Sequence, residues 1–266
     1  MKDHSTLIIG ASGFLGRCLH ERLISSGRNV SGTFNRNSPG QETGWWQYRF
    51  PKDEISPTLS EVNPFTIVMS ARLADPSATG IDATKEFETE FTRVIRAVQS
   101  SSRVGRFIYL SSDAVFSGNE PLRNESAPTC PDSEYGRRHV IAERIVLDLV
   151  PDSLIVRPSF LYGISGGRID KRTQKLANAH TDGSVVRAHA NVFKSPLEVG
   201  EAASLIEAWI DSDLIGIAHL SSPRISVHEF FCSRLKSLGE FGNHDMVQRT
   251  LAEVPSDTSL STERFP

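Results

Sequence analysis

Cysteine is scarce in this chain: three residues, Cys18, Cys130 and Cys232, odd in number and far apart in 266 positions. That excludes a disulfide framework and a cysteine zinc site, and Cys18 reads as a small core residue. The eight histidines show no H-E-x-x-H or related ligand spacing, so no metal site is expected. Basic runs interleaved with aromatics are missing as well. With a formal charge of -3 and a pI near 6.3, the chain has no general attraction to nucleic acid or anionic membranes, and neither is expected as a partner. No stretch is long and apolar enough to span a bilayer, and Met1 to Ser5 run into the first apolar segment with no signal-like stretch; the expectation is a cytoplasmic protein. There is no internal repeat or low-complexity tract. Neither a Ser-His-Asp set nor a pair of carboxylates has a spacing that argues for hydrolysis, and Asp113 and Glu143 can be read as residues of solvated faces.

What is present is an alternation of strands and helices. Leu7 to Ile9 read as a strand buried on both faces, followed by a helix with apolar positions at Leu15, Cys18, Leu19 and Leu23. Further strands are expected at 29–34, 44–50, 65–69, 106–110, 154–156 and 217–220. Helices are expected within 51–64 and over 81–102, 134–149, 197–209 and 227–238. The helix over 81–102 carries Phe87, Phe91, Val94, Ile95 and Val98, the stripe of a helix lying on a sheet. Such alternation gives an α/β fold, a doubly wound and mostly parallel Rossmann sheet with ligands beyond the carboxyl ends of the strands. Residues 1–163 read as a nucleotide-binding core, and 164–266 as a small C-terminal substrate lobe interleaved with returning core elements at about 191–221. Residues 164–190 are polar with little periodicity, and the last stretch, 255–266, reads as loosely held.

Gly10, Gly13 and Gly16 sit between the first strand and the first helix, in a G-x-x-G-x-x-G spacing. Glycines there let backbone approach a diphosphate, whose charge is held by unpaired N–H groups and the positive end of the helix. The alternative is a tight turn with no ligand. After the second strand, at Asn35-Arg36-Asn37, no acid is available for a ribose 2′-hydroxyl and Arg36 is present for a 2′-phosphate; that favours NADP, with NAD the alternative.

Three features then converge: the glycine turn, Ser111-Ser112 at a strand end, and Tyr135-Gly136-Arg137-Arg138-His139 at a helix start. Together they resemble the extended short-chain dehydrogenase/reductase family, most closely its dTDP-4-dehydrorhamnose reductase group, over nearly the whole length. Gly10-Ala11-Ser12-Gly13-Phe14-Leu15-Gly16 is similar to the family's nucleotide loop. Ser111-Ser112-Asp113-Ala114-Val115-Phe116-Ser117-Gly118 is similar to the reductases' S-T-D-x-V-F-x-G, and Tyr135-Gly136 begins their Y-G-x-x-K. The resemblance implies hydride transfer between a nicotinamide and a sugar carbonyl. It makes Tyr135 the general acid, Ser112 the group orienting the substrate oxygen, and Asp113 and Phe116 substrate contacts. Ser70, Ala71 and Arg72 would lie by the cofactor, and Pro158 beside the nicotinamide.

Two departures follow. The family's lysine four residues after the tyrosine, one helical turn away, is His139 here, which at its ordinary pKa of about 6.5 is mostly uncharged at neutral pH. The asparagine usual on the preceding helix is absent from Phe87-Glu88-Thr89-Glu90. A phenol with a pKa of about 10 needs positive charge nearby to work at neutral pH, so His139 is read either as a substituted catalytic partner or as the mark of a protein that no longer turns over. Arg137 and Arg138 project to other faces and help only at longer range. The expected function is thus an NADP-dependent reductase of a keto sugar, as nucleotide sugar or similar small molecule. Alternatives are a non-catalytic nucleotide-binding protein, like the related regulatory subunit of methionine adenosyltransferase, and an epimerase or dehydratase with bound nicotinamide. A homodimer or a partner enzyme stays open.

Overall fold

The computed structural model describes residues 5–36, 44–73, 80–237, 246–254 and 256–263. Strands β1 (Thr6–Ile9), β2 (Val30–Phe34), β3 (Trp45–Gln47), β4 (Thr66–Met69), β5 (Arg106–Leu110) and β6 (Leu154–Pro158) join the later strand Gly216–Leu220 in one seven-stranded parallel sheet. From one edge the order is Gly216–Leu220, β6, β5, β4, β1, β2, β3. The chain winds one way from β1 to β3 and the other way from β4 onward, so the crevice beyond the ends of β1 and β4 is the switch point where such sheets take ligands. The wholly apolar cores of β1 and β4 follow from burial on both faces.

On one face lie α2 (Ser56–Val62), α3 (Ile81–Gln99) and α4 (Glu134–Leu149); their contacts with the sheet include Phe91, Val94 and Ile95 beside Ile67 and Tyr109. The stripe expected on α3 is the face that is buried, which is what a 3.6-residue period on a flat sheet requires. On the other face α1 (Phe14–Ser25) packs with α6 (Val199–Ile210) over Ile8, Val68 and Val156.

Four expectations are corrected. Residues 164–190 hold a helix, α5 (Lys171–Asp182), capped by the Asp170 carboxylate, which accepts from the N–H groups of Arg172 and Thr173, and ended by Gly183 at positive φ. Its periodicity is faint because the buried face is made of Thr173, Leu176 and Ala179 rather than large apolar residues. Together with α7 (Val227–Ser237) it encloses a second apolar cluster around Phe160, Phe230 and Phe231. The described tail is not loose. Ser256–Asp257 pairs with Val192 and Phe193, Ser259 and Leu260 are fully buried, and Leu260 packs on Val115 and Phe116. Its small polar residues satisfy backbone and side-chain partners on segments far away in the chain, a pattern that local composition does not show. Finally, Asp113 and Glu143 are buried, not solvated: Glu143 holds Arg157 through two hydrogen bonds of 2.9 and 2.7 Å and accepts a third from Ser111 at 2.5 Å. The third strand is also shorter than 44–50, ending where Tyr48 turns into the core.

Candidate active site

A cleft of about 670 Å³ opens at the switch point, walled by the glycine turn, the exits of β2, β4 and β5, and the start of α4. Gly10 leaves β1 at φ +88°, and a Cβ there would stand 2.6 Å from the backbone of Ala71. A Cβ on Gly16 would stand 2.5 Å from the carbonyl oxygen of Gly10. These two glycines therefore let the β4 exit and α1 close on the turn, while Gly13 is exposed at the helix start. No side chain caps α1, although Ser133, Asp170 and Glu198 cap α4, α5 and α6. The first amides of α1 thus face the cleft with no acceptor from a capping side chain, the donor set that suits a diphosphate. Gly10 N–H donates to Thr33 Oγ1 at 2.8 Å, which fixes the turn to β2.

Ser12, Gly13, Phe14, Leu15, Ser70, Ala71, Arg72, Tyr135, His139 and Pro158 all line this cleft, together with Gly10. Gly16 stands behind the turn, and Arg36 is exposed just past Asn35, the last wall residue on that side. Phe116 does not reach the cleft: it is 2% exposed and packed against Val115, Leu260 and the His219 ring. The expected substrate contact is thus corrected to a core role.

The chemistry-bearing pair is built by one glycine. A Cβ on Gly136 would fall 2.0 Å from the carbonyl oxygen of Ala114, so only glycine lets the first turn of α4 sit on the 3-10 turn Asp113–Val115. That contact brings the Tyr135 hydroxyl beside the Ser112 side chain. Ser112 in turn donates to Asp113 Oδ1 at 3.1 Å. The other carboxylate oxygen, Oδ2, accepts from Lys194 Nζ at 2.9 Å, Thr258 Oγ1 at 3.0 Å and Ser159 Oγ at 3.3 Å. Lys194 and Thr258 come from the lobe and the tail, and nothing in the sequence marked them. Burial raises the Tyr135 pKa and the Asp113 charge adds to this, while the neighbouring Ser112 side chain and the Arg72 charge pull it down.

His139 is a neutral group here. It is 3% exposed, and burial drives its pKa down to about 3 despite the Asp113 charge. Its Nδ1 meets the Tyr109 hydroxyl at 2.8 Å, and Nε2 is buried with no partner. The ring stands 4.5 Å from the Tyr135 ring at 77°, an edge-to-face contact that fixes the tyrosine from one side. Arg137 and Arg138 are both paired with Glu134, at 3.0 and 3.4 Å. Two further features escaped sequence reading because they are set by chain-distant packing: Tyr48 and Phe50 in the cleft wall, and Arg168, which donates to Ser12 O at 3.0 Å across the glycine turn. No group of three or more metal-ligating side chains occurs among the described residues, and no helix there is long and apolar enough to cross a membrane.

Comparison with known proteins agrees with this architecture. A probable low-salt glycan biosynthesis reductase of Haloferax volcanii is 27% identical over 222 residues, covering 81% of this chain and 73% of that protein. A dTDP-4-dehydrorhamnose reductase of Aggregatibacter actinomycetemcomitans is 23% identical over 98% of this chain and 85% of its own. Among solved structures, the dTDP-4-dehydrorhamnose reductase of Bacillus anthracis in complex with NADP superposes with a TM-score of 0.79 at 20% identity, covering 97% of this chain and 90% of that one. The model of the RmlD substrate binding domain matches residues 4–259, and the chain belongs to that family, the dTDP-4-dehydrorhamnose reductase group of the extended short-chain dehydrogenases/reductases.

Proposed function

We propose that the protein is an NADP-dependent reductase of a keto group on a nucleotide-linked sugar. The observation that carries the reading is Tyr135, set beside Ser112, in the wall of the same cleft that the glycine turn lines. The relatives' names support it: reductases of nucleotide or glycan sugars recur among them. Gly10 to Leu15 would hold the cofactor diphosphate on the uncapped start of α1, Ser70 to Arg72 and Pro158 would flank its nicotinamide half, and Arg36 would take a 2′-phosphate. NADPH bound there would supply the hydride. Tyr135 donates its hydroxyl proton to the developing alkoxide, the transfer that general acid catalysis requires. Ser112 orients the carbonyl oxygen, and Asp113, itself anchored by Lys194 and Thr258, fixes the Ser112 rotamer. His139 holds the Tyr135 ring by packing and carries no charge. NAD in place of NADP leaves these roles unchanged.

The test is titration with NADPH and NADH by nucleotide fluorescence, followed by addition of dTDP-4-dehydrorhamnose and related keto sugar nucleotides. The expected result is preferential NADPH binding and its oxidation on adding sugar, with Tyr135→Phe lowering the rate by about a hundredfold or more and leaving binding intact. Tight binding with no oxidation by any keto sugar nucleotide would overturn the reductase and favour a non-catalytic nucleotide-binding role.

A further inference from the structure

Tyr135 needs a cation, and the residue at the expected position does not supply one. His139 is buried, neutral and turned toward Tyr109. The other positive groups around Tyr135 are committed elsewhere. On its own helix Arg137 and Arg138 are both held by Glu134, which also accepts from Thr84 of α3. From the turn after β5, Asp113 presents a negative charge to Tyr135, and Lys194 is spent neutralising that carboxylate. Behind His139, Tyr109 is fully buried with Glu143 near it. From the β4 exit, Arg72 lines the same cleft as Tyr135, and its charge acts on the phenol across it.

We propose that the Arg72 guanidinium, reaching the cleft from the end of β4, is the cation that stabilises the Tyr135 phenolate, in place of the lysine absent from α4. The inference rests on Tyr135 being the acid of the proposed reaction. It divides the work of one lysine between two residues: His139 positions the ring and Arg72 supplies the charge. Arginine keeps its proton throughout the working pH range, so the charge is permanent. Water leaving the cleft as cofactor and substrate bind lowers the local dielectric and strengthens the attraction between the exposed Arg72 and the phenolate. Arg72 acts through Tyr135 and is a positioning residue in this sense, with no bond made or broken at its own atoms.

The readout is the titration of Tyr135 itself, followed by NMR on protein labelled with ring-carbon-13 tyrosine. The chain has only four tyrosines, so Tyr135→Phe assigns the signal. Measured with NADP⁺ present and again without it, Arg72→Gln is expected to move the Tyr135 midpoint to higher pH, Arg72→Lys to restore most of it, and His139→Gln to leave it in place. In the oxidation direction, Arg72→Gln is expected to lower kcat at neutral pH about tenfold, with recovery as pH rises. An unmoved midpoint in Arg72→Gln, or an equal shift in Arg72→Lys, overturns the assignment. The titration needs no sugar, so a midpoint that follows Arg72 in a protein that reduces no keto sugar would uphold the charge assignment and sink the reductase reading alone.

Discussion

His139→Gln isolates the protonation of the residue that stands where a lysine was expected. Glutamine is neutral at every pH and can keep a hydrogen bond to Tyr109. Burial holds the His139 pKa at about 3 in the folded protein, against 6.5 for the free side chain. Between those values the unfolded chain binds one proton more than the folded one. The neutral imidazole therefore contributes its full stability above about pH 6.5, and the contribution drains away as pH falls toward about 3. At about pH 4.5 the loss is two pK units at about 1.4 kcal/mol each, about 3 kcal/mol. The assay is urea unfolding of wild type and variant from about pH 7.5 to about 4.5, where a two-state fit gives each free energy. Buried His219, also pushed down by desolvation, loses stability over the same window in both proteins and cancels in the difference. The wild-type advantage should shrink by about 3 kcal/mol across the range. A difference that stays constant with pH would show that His139 takes up its proton as readily in the folded chain as in the unfolded one, and the division of roles between His139 and Arg72 would fall with it.

Two further outcomes test the frame around the site. Gly16→Ala places a Cβ 2.5 Å from the Gly10 carbonyl oxygen; it should cost about 1–3 kcal/mol and weaken NADPH binding at least about tenfold, read by thermal unfolding and fluorescence titration. A variant that binds as wild type would mean that the turn does not shape the diphosphate site. Glu143→Ala leaves Arg157, 2% exposed and with Nη1 already lacking a partner, as an uncompensated buried charge. A loss of about 3–5 kcal/mol is expected in denaturant unfolding, and a loss under about 1 kcal/mol would show the pair to be hydrated.

Local signals in the chain carry much of the fold and part of the site. Residues 6–25 read as strand, turn and helix because an apolar run, a set of glycines and a 3.6-residue stripe all lie between near neighbours. The same holds for the stripe on α3 and for Ser112 and Tyr135, whose motifs identify the family. The helix at 171–182 escapes such reading because its buried face is small and partly polar, and the tail because its partners are far away in sequence. Asp113 and Glu143 read as solvated for a similar reason: a carboxylate is buried only when distant cations and hydroxyls arrive to hold it, here Lys194, Thr258, Ser159 and Arg157.

By itself the sequence determined the order of strands and helices, the glycine turn and the pairing of Ser112 with Tyr135 in one family pattern, since each depends on neighbours in the chain. It also showed that the lysine is missing. Only the tertiary structure decided what that absence means. Whether an imidazole is charged depends on how much water and which partners the fold leaves it; α4 packed on β5 buries His139 against Tyr109 and keeps it neutral, and the parallel crossover from β4 brings Arg72 to the same cleft.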